Sequence, residues 1–183
     1  MIGTQLLAHQ QNCPRVGLVV AYRPEMALAL SDYRAGQNLY HAIKYMARFL
    51  KDNEDSEFLI HTSLPDHPSI KYAAACDHYG FFKQEIRYRR ILGYPPFTYL
   101  AEVLFQGENL RTLAKKTREF SSLLSEKNVG VDVLGPALPP VSRIRGKNRI
   151  QVILKSKRKK LLDEVLGRSL KNVRATKTIF VYD

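Results

Sequence analysis

The chain has 183 residues, with 29 Lys and Arg against 17 Asp and Glu, giving a formal charge of +12 at neutral pH. A hydrophobic content of 45% with 10% aromatics is enough to bury a core, so wholesale disorder is excluded, and the length allows one ordinary domain or two small ones. No apolar run approaches the roughly 18 residues of a membrane helix, and the opening MIGTQLLAHQQ lacks a basic region leading into a long apolar stretch; the chain reads as cytoplasmic, with no membrane partner.

In chain order, VGLVVA at Val16 to Ala21 is a short apolar run after Pro14, the pattern of a parallel strand buried on both faces. Residues 34 to 50 predict a helix, with Leu39, Ala42, Ile43, Met46, Ala47 and Leu50 at three- and four-residue steps and Asp32 as a cap. A second strand is expected over Phe58 to His61, and a helix over Tyr72 to Gln84, preceded by a turn that His67 or Asp66 caps. This order is α/β with too few strands for a complete doubly wound sheet, as in a part of a larger domain.

Gly93, Pro95 and Pro96 mark a boundary. Beyond it, Leu100 to Phe105 reads as a strand, and Leu110, Leu113, Thr117, Phe120 and Leu124 form the stripe of a helix. Val129, Val131 and Val133 alternate as a second strand, followed by a turn-rich GPALPP. Ile150, Val152 and Leu154 give one face of a third strand, Leu161, Leu162, Val165, Leu166 and Leu170 a second helix, and Thr176 to Val181 a fourth strand. The expected fold is therefore α/β plus α+β: an incomplete lobe over residues 1–84, a linker over 85–95, and a ferredoxin-like βαββαβ domain over 96–183.

Residues 1–76 hold seven cations and seven acids, so the whole excess lies further on. Nine of the residues from Arg143 to Lys160 are basic, and no acid occurs between Asp132 and Asp163. An ordinary solvated face mixes its signs, so this run is the candidate nucleic-acid surface, with Arg143, Arg145, Lys147, Arg149, Lys155, Lys157 and Arg158 as its contacts. Arg143, Arg145 and Lys147 are expected in a loop, free of the sheet ladder. Arg149, Gln151, Ile153 and Lys155 should share the strand face that meets the ligand. No aromatic interrupts the run, which argues for salt-sensitive backbone contacts over base stacking.

Catalytic patterns are absent. No GxxxxGK[ST], HExxH or GxSxG occurs, the five histidines are scattered, and no catalytic residue is assigned. Cys13 and Cys76, outside any CxxC spacing, are expected to be reduced thiols with no metal role.

Several strings in order, IGTQLLA, CPRVGLV, YRAGQNLY, SEFLIHTSLPDHPSI, LGYPPF at Leu92 to Phe97 and LGPALPPVSRIRGKNRIQ at Leu134 to Gln151, resemble the C-terminal part of the PriA family of primosomal replication-restart DNA helicases. The resemblance implies the end of a second RecA-like lobe followed by a domain resembling ribosomal protein S10. The family's cofactors are ATP, magnesium and zinc. Here the helicase motifs depart from the pattern: Gly3, Thr4 and Gln5 remain of motif V, His9 to Cys13 replace its continuation, and Arg48 matches the motif VI arginine only across a one-residue gap. The chain is thus expected to need no cofactor and to be silent as an ATPase, whether a piece of a longer polypeptide or a degenerate product. The resemblance further implies branched or single-stranded DNA, other primosome proteins and the acidic tail of single-stranded-DNA-binding protein as partners, with Lys147, Arg149 and Gln151 lining the tail pocket. An RNA-binding or ribosome-associated protein with an S10-like fold is the alternative.

Overall fold

The computed structural model describes residues 3, 14–29, 32–127, 130–171 and 176–182. The chain forms two compact units, Met1–Arg87 and Tyr88–Asp183, and the division falls inside a helix. Unit 1 carries nine cations and nine acids, and unit 2 holds the entire +12.

Unit 1 pairs β1 (Leu18–Tyr22) with β2 (Glu57–His61) in parallel, Val20 opposite Leu59. Between them lie a short 3₁₀ helix (Pro24–Ala29) and α1 (Ala35–Ala47); α2 (Pro68–Ala74) and α3 (His78–Leu92) follow. Leu39, Tyr40 and Ile43 of α1 bury against Ile70, Ala73 and Phe81, with Tyr40 and Phe81 stacked at 4.0 Å. The expectation that β1 is buried on both faces is corrected. Only Ala21 is buried, while Leu18, Val20, Tyr22 and Leu59 are exposed, because among the described residues α1 covers one face of this pair and nothing covers the other.

The single helix expected over Tyr72 to Gln84 is two. Cys76 takes a positive φ of 53°, which ends α2, and Asp77 Oδ1 accepts from the Gly80 amide at 2.8 Å to start α3. His67 caps α2, its Nδ1 accepting from the Ser69 amide at 3.2 Å, with Pro68 in the first helical position. Asp32 accepts from the Arg34 amide just ahead of α1, whose own N-cap, Arg34, makes no side-chain cap bond.

Glu25 ties the strand ends together. Its buried carboxylate accepts from Thr62 Oγ1 at 2.8 Å, Ser63 Oγ at 2.9 Å and the Ser63 amide at 3.2 Å. Burial by itself would raise its pKa, but these hydrogen bonds outweigh it and hold the carboxyl at about 2.

Unit 2 comprises β3 (Tyr99–Gly107), α4 (Leu110–Lys127), β4 (Asp132–Ala137), β5 (Arg143–Ile144), β6 (Lys147–Ser156), α5 (Lys159–Lys171) and β7 (Thr176–Tyr182). The sheet order is β4-β6-β3-β7, every pairing antiparallel, with β5 joined to β6. Phe105, Val103, Val152 and Leu154 on one sheet face pack with Leu113, Phe120 and Leu124 of α4 and Leu162, Val165 and Leu166 of α5. Each such fully buried side chain contributes about 1.5–3 kcal/mol. The GPALPP segment is not simply a turn. β4 runs through it to Ala137 with an irregular register after Leu134, and Gly135 is required there because its φ is +102° and a Cβ would stand 3.0 Å from the Gln151 carbonyl oxygen. The expected linker is also shorter, since residues 85–92 complete α3.

Two outcomes are expected. Glu25 titrates lower in the folded chain than its ordinary 4.5, so its contribution is full above about pH 4.5 and disappears as pH falls towards about 2. Melting across that window should show an acid loss that Glu25→Gln reduces. Gly80→Ala should lower the melting temperature despite alanine's better helix propensity, because the new Cβ would collide with the capping Asp77 carboxylate and stand 2.5 Å from Tyr72 Cε1.

Candidate nucleic-acid interface

The basic run does not form one loop. Arg145 and Gly146 take φ values of 48° and 79°, a two-residue hairpin turn of the type with both central residues left-handed. Asn-Gly is the usual pair there; an arginine in this conformation costs about 1 kcal/mol and leaves a cation at the tip. The turn closes a ladder in which Arg143 stands opposite Asn148 and Ile144 opposite Lys147. Arg143, Arg145 and Lys147 are therefore held by the sheet rather than loose, a correction to the loop expectation, and all three are exposed. Directly opposed residues share a face, so Arg143 and Lys147 lie on opposite faces of the hairpin with Arg145 between them.

Further bonds fix the hairpin. The Arg149 amide donates to the Ser142 carbonyl at 2.8 Å, its Nη1 donates to the Val141 carbonyl at 3.0 Å, and Asn148 Nδ2 donates to the Glu108 carbonyl at 2.7 Å. Arg149 is half-buried, with part of its guanidinium committed to the incoming chain; its Nε is buried and has no partner among the described residues. Arg143 Nε leans on the Gly146 carbonyl at 3.4 Å.

Along β6 the face opposite the helices carries Lys147, Arg149, Gln151, Ile153 and Lys155 in turn. It does not stay open to a ligand. Lys147 is exposed, Arg149 half-buried, Gln151 buried, and Lys155 only 8% exposed. Lys155 Nζ donates to the Leu92 carbonyl at 3.1 Å and sits 3.6 Å from the centroid of the Tyr94 ring. Burial pushes its pKa below the ordinary lysine range, opposed by Asp132, its cross-strand neighbour. As a phosphate contact Lys155 is corrected: its ammonium holds the 92–94 segment to the sheet. Nothing in the residue pattern of β6 signals this, because Leu92 lies 63 residues upstream of Lys155.

Past β6 the chain enters α5 through a second group of exposed cations, Lys157, Arg158, Lys159 and Lys160. Ser156 organises this junction, its Oγ donating to the Gly130 carbonyl at 2.8 Å and accepting from the Arg158 amide at 3.2 Å. Lys147 opens the ten-residue strand β6 and Lys157 follows its end, about 30 Å away at the usual rise. The run that is continuous in sequence is thus two separated clusters, one at each end of β6.

The remaining assignments scatter. Arg48 is the exposed C-cap residue of α1, its guanidinium 5.1 Å from the Tyr45 ring centroid. Gly3 is exposed, and Thr4 and Gln5 lie outside the described residues. Among the described residues, no group of three His, Cys, Asp or Glu could hold a metal ion. Among the described residues, no helix is long and apolar enough to cross a membrane.

Comparison with known proteins assigns the family. The family model for the primosomal protein N C-terminal domain matches residues 90–181, which is unit 2 almost entire and contains both cation clusters. The chain is 26% identical over 186 residues to the replication restart protein PriA of Borreliella burgdorferi, covering 99% of this chain and 28% of that protein. It is 28% identical to the PriA protein of Bacillus subtilis, covering 94% of this chain and 22% of that one, and 31% identical to that of Chlamydia pneumoniae, covering 85% and 21%. The chain thus spans about a quarter of the length of these curated relatives. With that match running through β3 to β7 and the similarity extending back through unit 1, the chain belongs to the PriA replication-restart family and corresponds to its C-terminal part.

Proposed function

We propose that unit 2 is a DNA-binding and partner-docking module of replication restart, built on a ferredoxin-like, S10-like plan, and that unit 1 is the end of a RecA-like lobe without motor activity of its own. The observation that carries the reading is electrostatic: unit 1 is neutral, unit 2 carries +12, and its exposed cations gather at the two ends of β6. Such a distribution attracts a polyanion and releases its counterions on contact. The strand order β4-β6-β3-β7, with α4 and α5 on one face, supports the ferredoxin-like plan.

In this reading Arg143, Arg145 and Lys147 meet phosphates at the hairpin, and Lys157 and Arg158 meet them at the start of α5. Guanidinium forks suit phosphate oxygens by bidentate bonding. At the open end of the β6 face opposite the helices, exposed Lys147 and half-buried Arg149 receive the acidic tail of single-stranded-DNA-binding protein, with Gln151 buried behind them. Exposed Leu138, Val141 and Ile144 beside these cations support a protein partner there, since they give it apolar surface to cover. Other primosome proteins, branched or single-stranded DNA as ligand, and a cytoplasmic setting follow from the same reading.

The test is the salt dependence of binding to a forked DNA, measured by fluorescence anisotropy. Arg143→Ala, Arg145→Ala, Lys147→Ala and Lys157→Ala should each weaken binding and lower the slope of log K against log salt by about one unit. Lys155→Met should leave the slope unchanged while altering the melting temperature. Unchanged slopes in the four exposed-cation variants would remove the assignment, and tight binding to A-form RNA with indifference to the fork would replace it with an RNA-binding role. ATP with magnesium should neither raise the melting temperature nor release phosphate, because a ligand that binds the native state must stabilise it; a clear shift would contradict the absence of motor activity.

A further inference from the structure

The basic run of unit 2 lacks aromatic rings, but an aromatic and basic surface lies elsewhere, on α3 within unit 1. At 3.6 residues per turn, Tyr79, Phe82, Lys83 and Ile86 share one side of this helix, with Arg87 at its margin, while Phe81 points the other way into the core. Tyr79 is 67% exposed and Phe82 58% exposed. Lys83 Nζ lies 4.4 Å from the Tyr79 ring centroid, and Lys83 and Arg87 are both exposed.

The carboxylates of this segment are turned away from that side. Glu85 faces α1 and α2: its Oε2 would lie 3.9 Å from a Cβ on Gly36, and it acts electrostatically on His67. Asp77 is held by the Gly80 amide. The side bearing Tyr79, Phe82, Lys83 and Arg87 therefore offers flat rings and positive charge with no acid among them. A second copy of the chain is a poor occupant, since it would bring Lys83 and Arg87 against their own kind. A partner with flat faces for the rings and negative charge for the cations satisfies both features, and single-stranded nucleic acid has that chemistry.

We propose that the Tyr79–Arg87 side of α3 is a stacking platform for single-stranded nucleic acid, with bases on the Tyr79 and Phe82 rings and phosphates at Lys83 and Arg87. It uses residues of the neutral unit and a different mode of contact, so it stands independently of the hairpin reading.

The chain contains no tryptophan, so Phe82→Trp is a reporter without background. It is placed in a chain whose Arg143, Arg145 and Lys147 are all Ala, so that loss of hairpin binding and loss of α3 binding are read separately. A short oligo(dT) at low salt should quench this tryptophan saturably. Tyr79→Ala should weaken that binding about tenfold, and Lys83→Gln should lower its salt slope by about 0.7. In the unsubstituted chain, photocrosslinking with a 5-iodouridine oligonucleotide should mark a peptide containing Tyr79 or Phe82. A tryptophan that oligo(dT) leaves unquenched overturns the proposal, as does crosslinking confined to unit 2. Emission that shifts blue with protein concentration alone assigns the surface to self-association, and a response to an acidic peptide but not to oligo(dT) assigns it to a protein partner.

Discussion

The arrangement of unit 2 rests on the double pairing of β6. This strand is bonded to β3 over nine residue pairs on one side and to β4 and β5 on the other, so its backbone is satisfied along almost its whole length. A strand fixed on both edges leaves only its faces and ends to vary. One face is committed to the helices by Ile150, Val152 and Leu154, and the other is exposed at Lys147 but half-buried or buried from Arg149 to Lys155. What remains free is the two ends, and those are where the exposed cations stand.

This explains how a chain with so much positive charge folds around an apolar core. The cations at the hairpin and at the start of α5 keep their heads in water and are about 30 Å apart, several Debye lengths at physiological salt. Lys155, the cation that is drawn in, is satisfied by the Leu92 carbonyl, the Tyr94 ring and the nearby Asp132. Its depressed pKa records the cost of burial. No acid lies between Asp132 and Asp163 in sequence, and the exposed cations of the two clusters give unit 2 a positive field at both ends of β6.

Much of this was legible in the residues. The alternation of Ile150, Val152 and Leu154 and the stripe Leu113, Thr117, Phe120 and Leu124 named the core of unit 2 correctly, since periodicity reports directly on which side is buried. Leu110, assigned to the same stripe, is exposed at the first turn of α4. The hairpin was not legible because its turn is Arg-Gly rather than Asn-Gly, and an arginine at positive φ gives no signal. The fate of Lys155 depends on a segment distant in sequence, and the exposure of β1 on what lies beside it in space; neither is written in local pattern. The family resemblance rested on strings such as LGYPPF, which physical periodicity alone would not single out, and it led to the tail-docking assignment of Lys147, Arg149 and Gln151. On β6 these three residues run from exposed through half-buried to buried, and their docking role is a proposal.

The central claim is that one run of sequence makes two separate cation clusters at the ends of a single strand, which we propose bind an anionic partner independently. The most direct measurement is a double-mutant cycle on the salt slope, comparing the hairpin variant Arg145→Ala/Lys147→Ala, the helix-start variant Lys157→Ala/Arg158→Ala, and their combination on the same forked DNA. Clusters this far apart with no shared partner should subtract from the slope additively. A helix-start variant with no effect, or a combination no worse than the hairpin variant alone, would contradict the claim.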